Sequence, residues 1–204
     1  KSFIGTSRTY LEYSDGIIRG IDFETNLFEL LALEKSTNLI LGSSFVSRFQ
    51  KDNNPKFNLP QNVGVYGLRT NFISGNFNYY LEYVHKYNDP AGSIADNSNN
   101  YATGNAIKTS LTYFQKGLGF SFDAHRVDNM EFRSERQQSK EYIINYIPTL
   151  SKQHSYTLLA FYPCATQSNG EIGFQSDLYY KFDRGTIFGG KYGTKININY
   201  SRVL

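Results

Sequence analysis

The sequence predicts an all-β fold, an antiparallel up-and-down transmembrane β-barrel, and three observations carry this prediction. Apolar and polar residues alternate through most of the chain, as they do over residues 107–113, and residues two apart lie on the same face of a strand. The alternating segments are about 9 to 11 residues long, enough to cross an apolar band of about 25 Å when tilted. The connections between them alternate between short and long, as in outer-membrane barrels.

About twelve strands are expected, in one barrel domain that spans residues 1–204. They are placed near residues 7–13, 17–24, 27–34, 39–48, 63–72, 77–88, 105–114, 118–127, 140–147, 155–163, 172–182 and 186–202. Only LFELLALEK, residues 27–35, could be helical. Because it lacks a sustained apolar stripe, we assign it to a strand.

The connection lengths indicate how the strands are arranged. EKSTN, ISGN and QKG are short, whereas QKDNNPKFNLPQN, NDPAGSIADNSNNYATG and DNMEFRSERQQS are long. Alternate connections lie at opposite ends of a meander, so the tight turns gather at one end and the long loops at the other. By this count the first strand begins and the last strand ends on the long-loop side. We therefore expect a part of a larger barrel, incomplete at both ends.

Two predictions concern individual strands. Tyr113 is expected to pair with Leu118 across the short QKG turn. Residues 186–202 are expected to form one long strand, because the alternation keeps its parity from Thr186 to Tyr200 and the glycines between them can mark a bend. The charged segment RSERQQSKE, residues 133–141, is expected to be a solvated outer loop.

Composition excludes several classes of protein. Lys and Arg exceed Asp and Glu by only 21 to 18, and the charges are scattered, so nucleic acid is not an expected partner. No apolar run approaches the roughly 20 residues of a membrane helix. Cys164 is the one cysteine, which excludes a disulfide within the chain and any cysteine-rich metal site. An aromatic content of 16% with a mean hydropathy of -0.46 suits strands that are apolar on one face only.

Three segments carry a resemblance to a known group of proteins. They are RTYLEYSDGIIRGIDFET at residues 8–25, NFNYYLEYVHKYND, and IGFQSDLYYKFDRGTIFGGKYGTKININY. With them the chain resembles an uncharacterised family of outer-membrane barrel proteins from Bacteroidota. The resemblance implies an outer-membrane barrel larger than this chain, and it brings no assigned activity.

The polar faces of the strands carry charges of both signs, which a water-filled lumen tolerates and a packed interior does not. The candidates for lining that lumen are Arg69, Glu82, Lys108, Asp123, His125, Asp177, Lys181 and Lys191. We expect a non-catalytic protein of the bacterial outer membrane, either a channel for small solutes or a membrane subunit of a larger envelope complex. Its partners would be outer-membrane lipids and, in the second case, other envelope proteins. The alternative is a soluble barrel or sandwich that binds a lipid, sugar or protein.

Candidate catalytic and metal sites are weak. Ser121, Asp123 and His125 share one strand face, but steps of about 6.6 to 7 Å are too long for a hydrogen-bonded relay, so no enzyme is expected. Asp96, Ser98 and Asn100 have the alternate spacing of calcium ligands, but the required glycine and the closing acid are missing. His85 and His154 are assigned to an interface or a loop. We expect no metal and no cofactor.

Overall fold

The structure, a computed structural model, describes residues 16–32, 36–52, 58–87, 89, 103–136, 143–150 and 165–204. Within them eight strands form one antiparallel sheet, and each strand pairs with its neighbours in sequence order. The strands are β1 (Ile17–Asn26), β2 (Thr37–Phe49), β3 (Asn62–Ser74), β4 (Phe77–Lys86), β5 (Gly104–Gln115), β6 (Leu118–Asp128), β7 (Glu171–Phe182) and β8 (Thr194–Val203). The all-β, up-and-down prediction is confirmed.

The sheet is open over the described part of the chain. β1 and β8 form its two edges, and they do not pair with each other. The expected twelve strands are not supported. Of the four additional segments, residues 7–13 and 155–163 lie outside the described residues, and the described part of residues 140–147, from residue 143 onward, contains only an isolated bridge between Arg133 and Ile143.

The segment at residues 27–34 was assigned to a strand, and this is wrong for its described residues. Leu27–Leu30 form a short helix, α1, that connects β1 to β2. Leu, Phe and Glu are adequate helix formers, so nothing local opposes a single turn. Ala32 ends it with a φ of 52°, after Leu31 N donates to Leu27 O at 3.0 Å.

The predicted long strand over residues 186–202 is also wrong. Residues 183–193 form a compact connection in which Gly190 N donates to Thr186 O at 3.0 Å and Gly185 N donates to Gly190 O at 2.8 Å. Gly185, Gly190 and Gly193 have φ values of 80°, 56° and 84°. These left-handed conformations turn the chain and favour glycine, so β8 begins only at Thr194, opposite Phe182.

The predicted register of the β5–β6 hairpin differs from the observed one by two residues. Tyr113 lies opposite Phe120, and Leu118 lies opposite Gln115. Lys116 and Gly117 form a two-residue turn in which Gly117 has a φ of 82°. Because the shift is an even number, the assignment of side chains to the two faces is unchanged.

The registers define the two faces of the sheet. The apolar face carries the odd-numbered residues of β1, β2, β4 and β5 and the even-numbered residues of β3, β6, β7 and β8. The polar face carries the others. Leu111, Leu118, Phe120 and Phe122 share the apolar face, whereas Lys108, Ser110, Asp123 and His125 share the polar face, as the alternation predicts.

Connections of different length lie at opposite ends of the sheet. The two-residue turns at 75–76 and 116–117 lie at what we call the turn end, together with α1 and residues 183–193. β2, β4 and β6 end, and β3, β5 and β7 begin, at the opposite end, called the loop end. Both tight turns thus lie at one end of the sheet, as predicted, although residues 183–193 form a longer connection there.

Most of the buried apolar side chains gather at the loop end. Residues 130–136 and 143–150, called the cap, pack onto the polar face there. Met130, Phe132 and Leu150 of the cap are buried together with Val63 and Val127 of the sheet. The polar face therefore has a covered half at the loop end and an open half at the turn end.

Candidate functional site: the polar face and its cap

One row of residues crosses the polar face through all eight strands, and we call it the central row. Neighbours in it are directly opposite each other on adjacent strands. Its members, from β1 to β8, are Glu24, Gly42, Arg69, Glu82, Lys108, His125, Gly173 and Val203. Such neighbours have Cβ atoms about 4.5 to 5.5 Å apart. Four of the predicted lumen residues therefore lie side by side, and the charges of Arg69, Glu82 and Lys108 alternate in sign.

The other predicted lumen residues lie nearer the turn end. Asp123 pairs with Ser110 and Gln175, and Asp177 pairs with Ser121 and Asn199, all on the polar face. Lys181 also lies on this face, opposite Lys195. Lys191 does not, because it belongs to the connection between β7 and β8, where its Nζ lies 5.5 Å from the ring centre of Tyr192. Whether the shared face borders a lumen stays a prediction.

Arg69 ties β3 to the edge strand β1 across β2. Its Nη1 and Nη2 donate to the two carboxylate oxygens of Asp22 at 2.8 and 2.9 Å, and its Nε donates to Glu24 Oε2 at 3.2 Å. Gly42 makes room for this crossing, since a Cβ there would stand 2.4 Å from Arg69 Nε. A glycine inside a strand often marks such a close approach.

The covered half contains buried charges that the sequence did not single out. Arg48 Nη2 donates to Asp89 Oδ1 at 2.8 Å, and both side chains are fully buried. Arg48 Nη1 also donates to the Arg133 carbonyl at 3.0 Å, and Lys86 Nζ donates to the Glu131 carbonyl at 2.7 Å. Two cations of the sheet, Arg48 and Lys86, thus donate hydrogen bonds to the backbone of the cap.

The buried cation Lys86 is the last residue of β4 and lies opposite Gly104, the first residue of β5, at the loop end. Its side chain is fully buried, with the carboxylates of Asp89 and Glu131 as the nearby negative charges. Its contact with a backbone carbonyl is therefore part of what keeps a charge at this position.

In the described part of the segment expected to be a solvated loop, residues 133–136, the two arginines are buried instead. Arg133 pairs with Glu131, Arg136 donates to the Pro60 carbonyl, and both arginines are less than a tenth exposed. Arg136 N also donates to Gln50 Oε1 at 2.9 Å. The mixed charge of the segment indicated that it is solvated. The groups that bind its arginines lie as far as 86 residues away in the chain, and sequence spacing does not predict contacts over such distances.

His125 is held by a glutamate and not by its neighbours on the same strand. Its Nε2 donates to Glu171 Oε1 at 2.7 Å, while Glu171 Oε2 accepts from Gln167 N at 2.8 Å. Because a carboxylate accepts hydrogen bonds, Nε2 carries a proton and Nδ1 is left as an acceptor in the neutral ring. The buried Nδ1 has no hydrogen-bond partner among the described residues. Among the described residues, Ser121 and Asp123 make no hydrogen bond to it.

A cavity of about 240 Å³ lies between the cap and the central row. Glu82, Lys108 and His125 contribute the charged and titratable part of its wall. The rest is mainly apolar and comes from both the sheet and the cap. Asn145 fixes the cap from within, since its Oδ1 accepts from Phe132 N at 2.9 Å and its Nδ2 donates to the Met130 carbonyl at 2.5 Å.

The remaining candidates do not form a site. The described residues contain no cluster of three or more His, Cys, Asp or Glu side chains suited to a metal ion. Asp96, Ser98, Asn100, His154 and Cys164 lie outside the described residues. His85 lies on the apolar face, where its Nδ1 is 2.6 Å from Asn105 Oδ1 and its ring contacts Tyr66 and Tyr87. No helix in the described ranges is long and apolar enough to cross a membrane.

Comparison with known proteins gives one family. The model of a family of unknown function, DUF6029, matches residues 1–204, so the chain belongs to that family. No curated protein and no solved structure matches the chain.

Proposed function

Starting from membership of DUF6029, we propose that this chain is part of a non-catalytic β-barrel of the bacterial outer membrane that passes small solutes. The apolar face contacts lipid, and the polar face borders a water-filled lumen. Strands beyond β1 and β8 complete the barrel. The observation that carries the proposal is the wide exposed apolar face opposite a charged one.

The wide exposure of the apolar face supports contact with lipid. Ile21, Phe23 and Leu68, from three different strands, are 71%, 63% and 52% exposed. Among the exposed large apolar residues of the strands, all but Ile18, Phe114 and Val203 belong to the apolar face. Soluble monomers rarely expose a contiguous apolar patch larger than a few hundred Å², whereas a lipid-facing surface has this character.

Aromatic rings lie at both ends of the apolar face. Near the loop end, the rings of Tyr66, His85 and Tyr87 contact one another in tilted and edge-on arrangements, with centroid distances between 5.3 and 5.9 Å. Near the turn end, Tyr180 contacts Phe182 at 4.7 Å. Two girdles of aromatic residues, one at each membrane interface, are typical of outer-membrane barrels. The observed strands of 10 to 13 residues are long enough to connect them.

The edges of the sheet support a larger barrel. β1 and β8 each pair with one described strand only, and β8 is exposed along its whole length. A long, flat edge with apolar side chains invites pairing with another strand. Closure by further strands removes both edges at once, as a membrane requires of any β structure.

The open half of the polar face has the composition expected for the lining of a water-filled lumen. Asp123 and Asp177 are partly exposed there, among serines, threonines and asparagines on neighbouring strands. Charged groups would be costly in a dry interior. In water they set the local field and the width of the passage, while the cap narrows the lumen at the loop end.

Cysteine labelling tests the orientation of the two faces. In a chain with Cys164→Ser, we expect Leu111→Cys to react with a lipid-soluble maleimide and Ser110→Cys with a membrane-impermeant one. The two positions are adjacent on β5, so depth in the membrane is matched. Reversed labelling, or extraction of the protein without detergent, would indicate a soluble barrel or sandwich whose apolar face is covered by protein.

Planar-bilayer recording tests the passage of solutes. A channel should give discrete conductance steps that depend on ionic strength. Membrane insertion without any conductance would contradict the solute role and would favour a structural subunit of an envelope complex.

A further inference from the structure

We infer that the cavity under the cap binds a small zwitterion with an apolar body, of the class of α-amino acids with an aliphatic or aromatic side chain. The cavity is bounded by the cap and the central row. It exists whether the apolar face meets lipid or protein, so this inference does not rest on the proposed channel.

The charges of the cavity wall do not neutralise one another directly. Glu82 and Lys108 lie opposite each other on β4 and β5, yet they form no ion pair in the described part of the chain. Glu82 Oε2 accepts from Tyr80 OH at 2.8 Å, and Lys108 makes no hydrogen bond or ion pair with any described residue. The ammonium of Lys108 is therefore placed to bind a carboxylate.

His125 supplies an acceptor next to that cation. It lies beside Lys108 in the central row, its side chain is 2% exposed, and its Nδ1 has no partner in the described residues. Buried polar atoms are normally hydrogen-bonded. With Nε2–H committed to Glu171, Nδ1 keeps an acceptor lone pair that no described group fills.

The net charge of the wall favours a zwitterion over a simple anion. Glu82 borders the cavity, and Glu171 lies directly behind His125. Glu171 is bonded to His125 and Gln167 and does not line the cavity, so the charges of the described wall are the carboxylate of Glu82 and the ammonium of Lys108. A ligand that brings only a carboxylate would pair with Lys108 and leave its charge beside Glu82, whereas a zwitterion offers an ammonium to Glu82 and a carboxylate to Lys108.

The body of the ligand is limited by the apolar part of the cavity. Val84 and Val127 from the sheet and Met130 and Phe132 from the cap face it. A volume of about 240 Å³ suits a single amino acid and is smaller than the pockets of about 300 to 1,000 Å³ that hold larger ligands. A sugar would leave its hydroxyl groups unsatisfied against these side chains.

Calorimetry with three related probes tests the class of ligand. Purified full-length protein is titrated with L-phenylalanine, with 3-phenylpropionate, which lacks the ammonium, and with 2-phenylethylamine, which lacks the carboxylate. We expect L-phenylalanine to bind at least tenfold more tightly than either of the others. No binding of L-phenylalanine, or equal binding of 3-phenylpropionate or 2-phenylethylamine, would overturn the inference.

A substitution that fills the cavity tests the place of binding. Ala106 lines the cavity from β5, so Ala106→Leu should weaken L-phenylalanine binding at least tenfold while all charges stay in place. Ser110→Leu, on the same strand and face but outside the cavity, is the matched control and should bind like the unaltered protein. Unchanged binding in Ala106→Leu would place the ligand elsewhere and overturn the inference.

Hydrogen exchange of the unaltered protein gives a second measurement that needs no variant. L-phenylalanine should slow backbone exchange at least threefold in the cap, residues 130–136 and 143–150, and leave residues 183–193 at the turn end unchanged. Equal exchange in the cap with and without ligand would contradict binding beneath it.

Discussion

The two halves of the polar face carry the same alternation of side chains but hold their charges in different ways. In the covered half, Arg48 and Lys86 are fully buried, and each donates to a carbonyl of the cap. In the open half, Asp123 is partly exposed, and Asp177 accepts from Gln175 Nε2 at 2.9 Å. A charge removed from water needs compensating bonds, whereas a hydrated charge does not. The cover, and not the strand pattern, therefore decides which charges support the fold.

Removal of Arg48 should give the largest effect. Arg48→Met leaves the fully buried carboxylate of Asp89 without this cation and frees the Arg133 carbonyl. Breaking a buried ion pair by removing one partner costs about 3 to 5 kcal/mol. We expect a loss of this size in the free energy of unfolding, measured by reversible urea unfolding of the reconstituted protein.

Arg69→Met is the matched control in the open half. Arg69 also pairs with carboxylates, but Asp22 and Glu24 are 61% and 55% exposed, so water hydrates them when the partner is lost. Its cost should be well below that of Arg48→Met. Equal losses for the two variants would break the distinction between the covered and the open half.

The alternation of faces could be predicted because it depends only on backbone geometry. Side chains two apart share a face in any strand, so an error of two residues at Leu118 moved no side chain to the wrong side. The grouping of Lys108, Asp123 and His125 on one face followed from the same rule.

The cap could not be predicted in this way. Arg48 and Arg133 meet across 85 residues, and Lys86 and Glu131 meet across 45, distances at which neither periodicity nor spacing carries information. The burial of His125 against Glu171 has the same origin. The glycines within residues 183–193 are a sequence signal for a turn. The alternation of apolar and polar residues, however, continues through this segment without a break and therefore favoured a strand.

An arginine introduced on the apolar face of β5 can be compared with an arginine introduced on the polar face of the same strand. Leu111→Arg, in the middle of β5, should lower the free energy of unfolding by about 2 to 4 kcal/mol if the face contacts lipid. Ser110→Arg is the adjacent control on the open half, where water can hydrate the guanidinium. Urea unfolding in phospholipid vesicles measures both, and equal penalties would contradict a wet polar face.

The same substitution, glycine to alanine, can be made in both halves at two positions of the central row, Gly173 and Gly42. A Cβ at Gly173 would stand 2.9 Å from Leu150 Cδ1 of the cap and 3.2 Å from His125 Nε2. Neither neighbour can move freely, because Leu150 is buried and His125 is bonded to Glu171. Crowding in a packed region costs about 1 to 3 kcal/mol, and we expect Gly173→Ala to lose that much stability.

Gly42→Ala is the control for this crowding. Its Cβ would stand 2.4 to 2.7 Å from Nε, Cγ and Cζ of Arg69, but the ion pairs of Arg69 with Asp22 and Glu24 are exposed, so the side chain can exchange them for water and move away. A thermal unfolding series should therefore show a smaller loss for Gly42→Ala than for Gly173→Ala. The opposite order would mean that the cap does not hold the covered half rigidly.

Neutralising a charge of the open half should have the smallest effect on stability and a clear effect on conduction. Asp123 is partly exposed and none of the described hydrogen bonds holds its carboxylate, so Asp123→Asn should change the free energy of unfolding by no more than about 0.5 kcal/mol.

In a channel, however, a carboxylate on the wall attracts cations and raises their local concentration. The reversal potential across a salt gradient in planar bilayers should therefore shift towards anion preference in Asp123→Asn. A variant that loses stability by several kcal/mol with an unchanged reversal potential would show that Asp123 belongs to a packed interior, and the open half would then be no more exposed to water than the covered one.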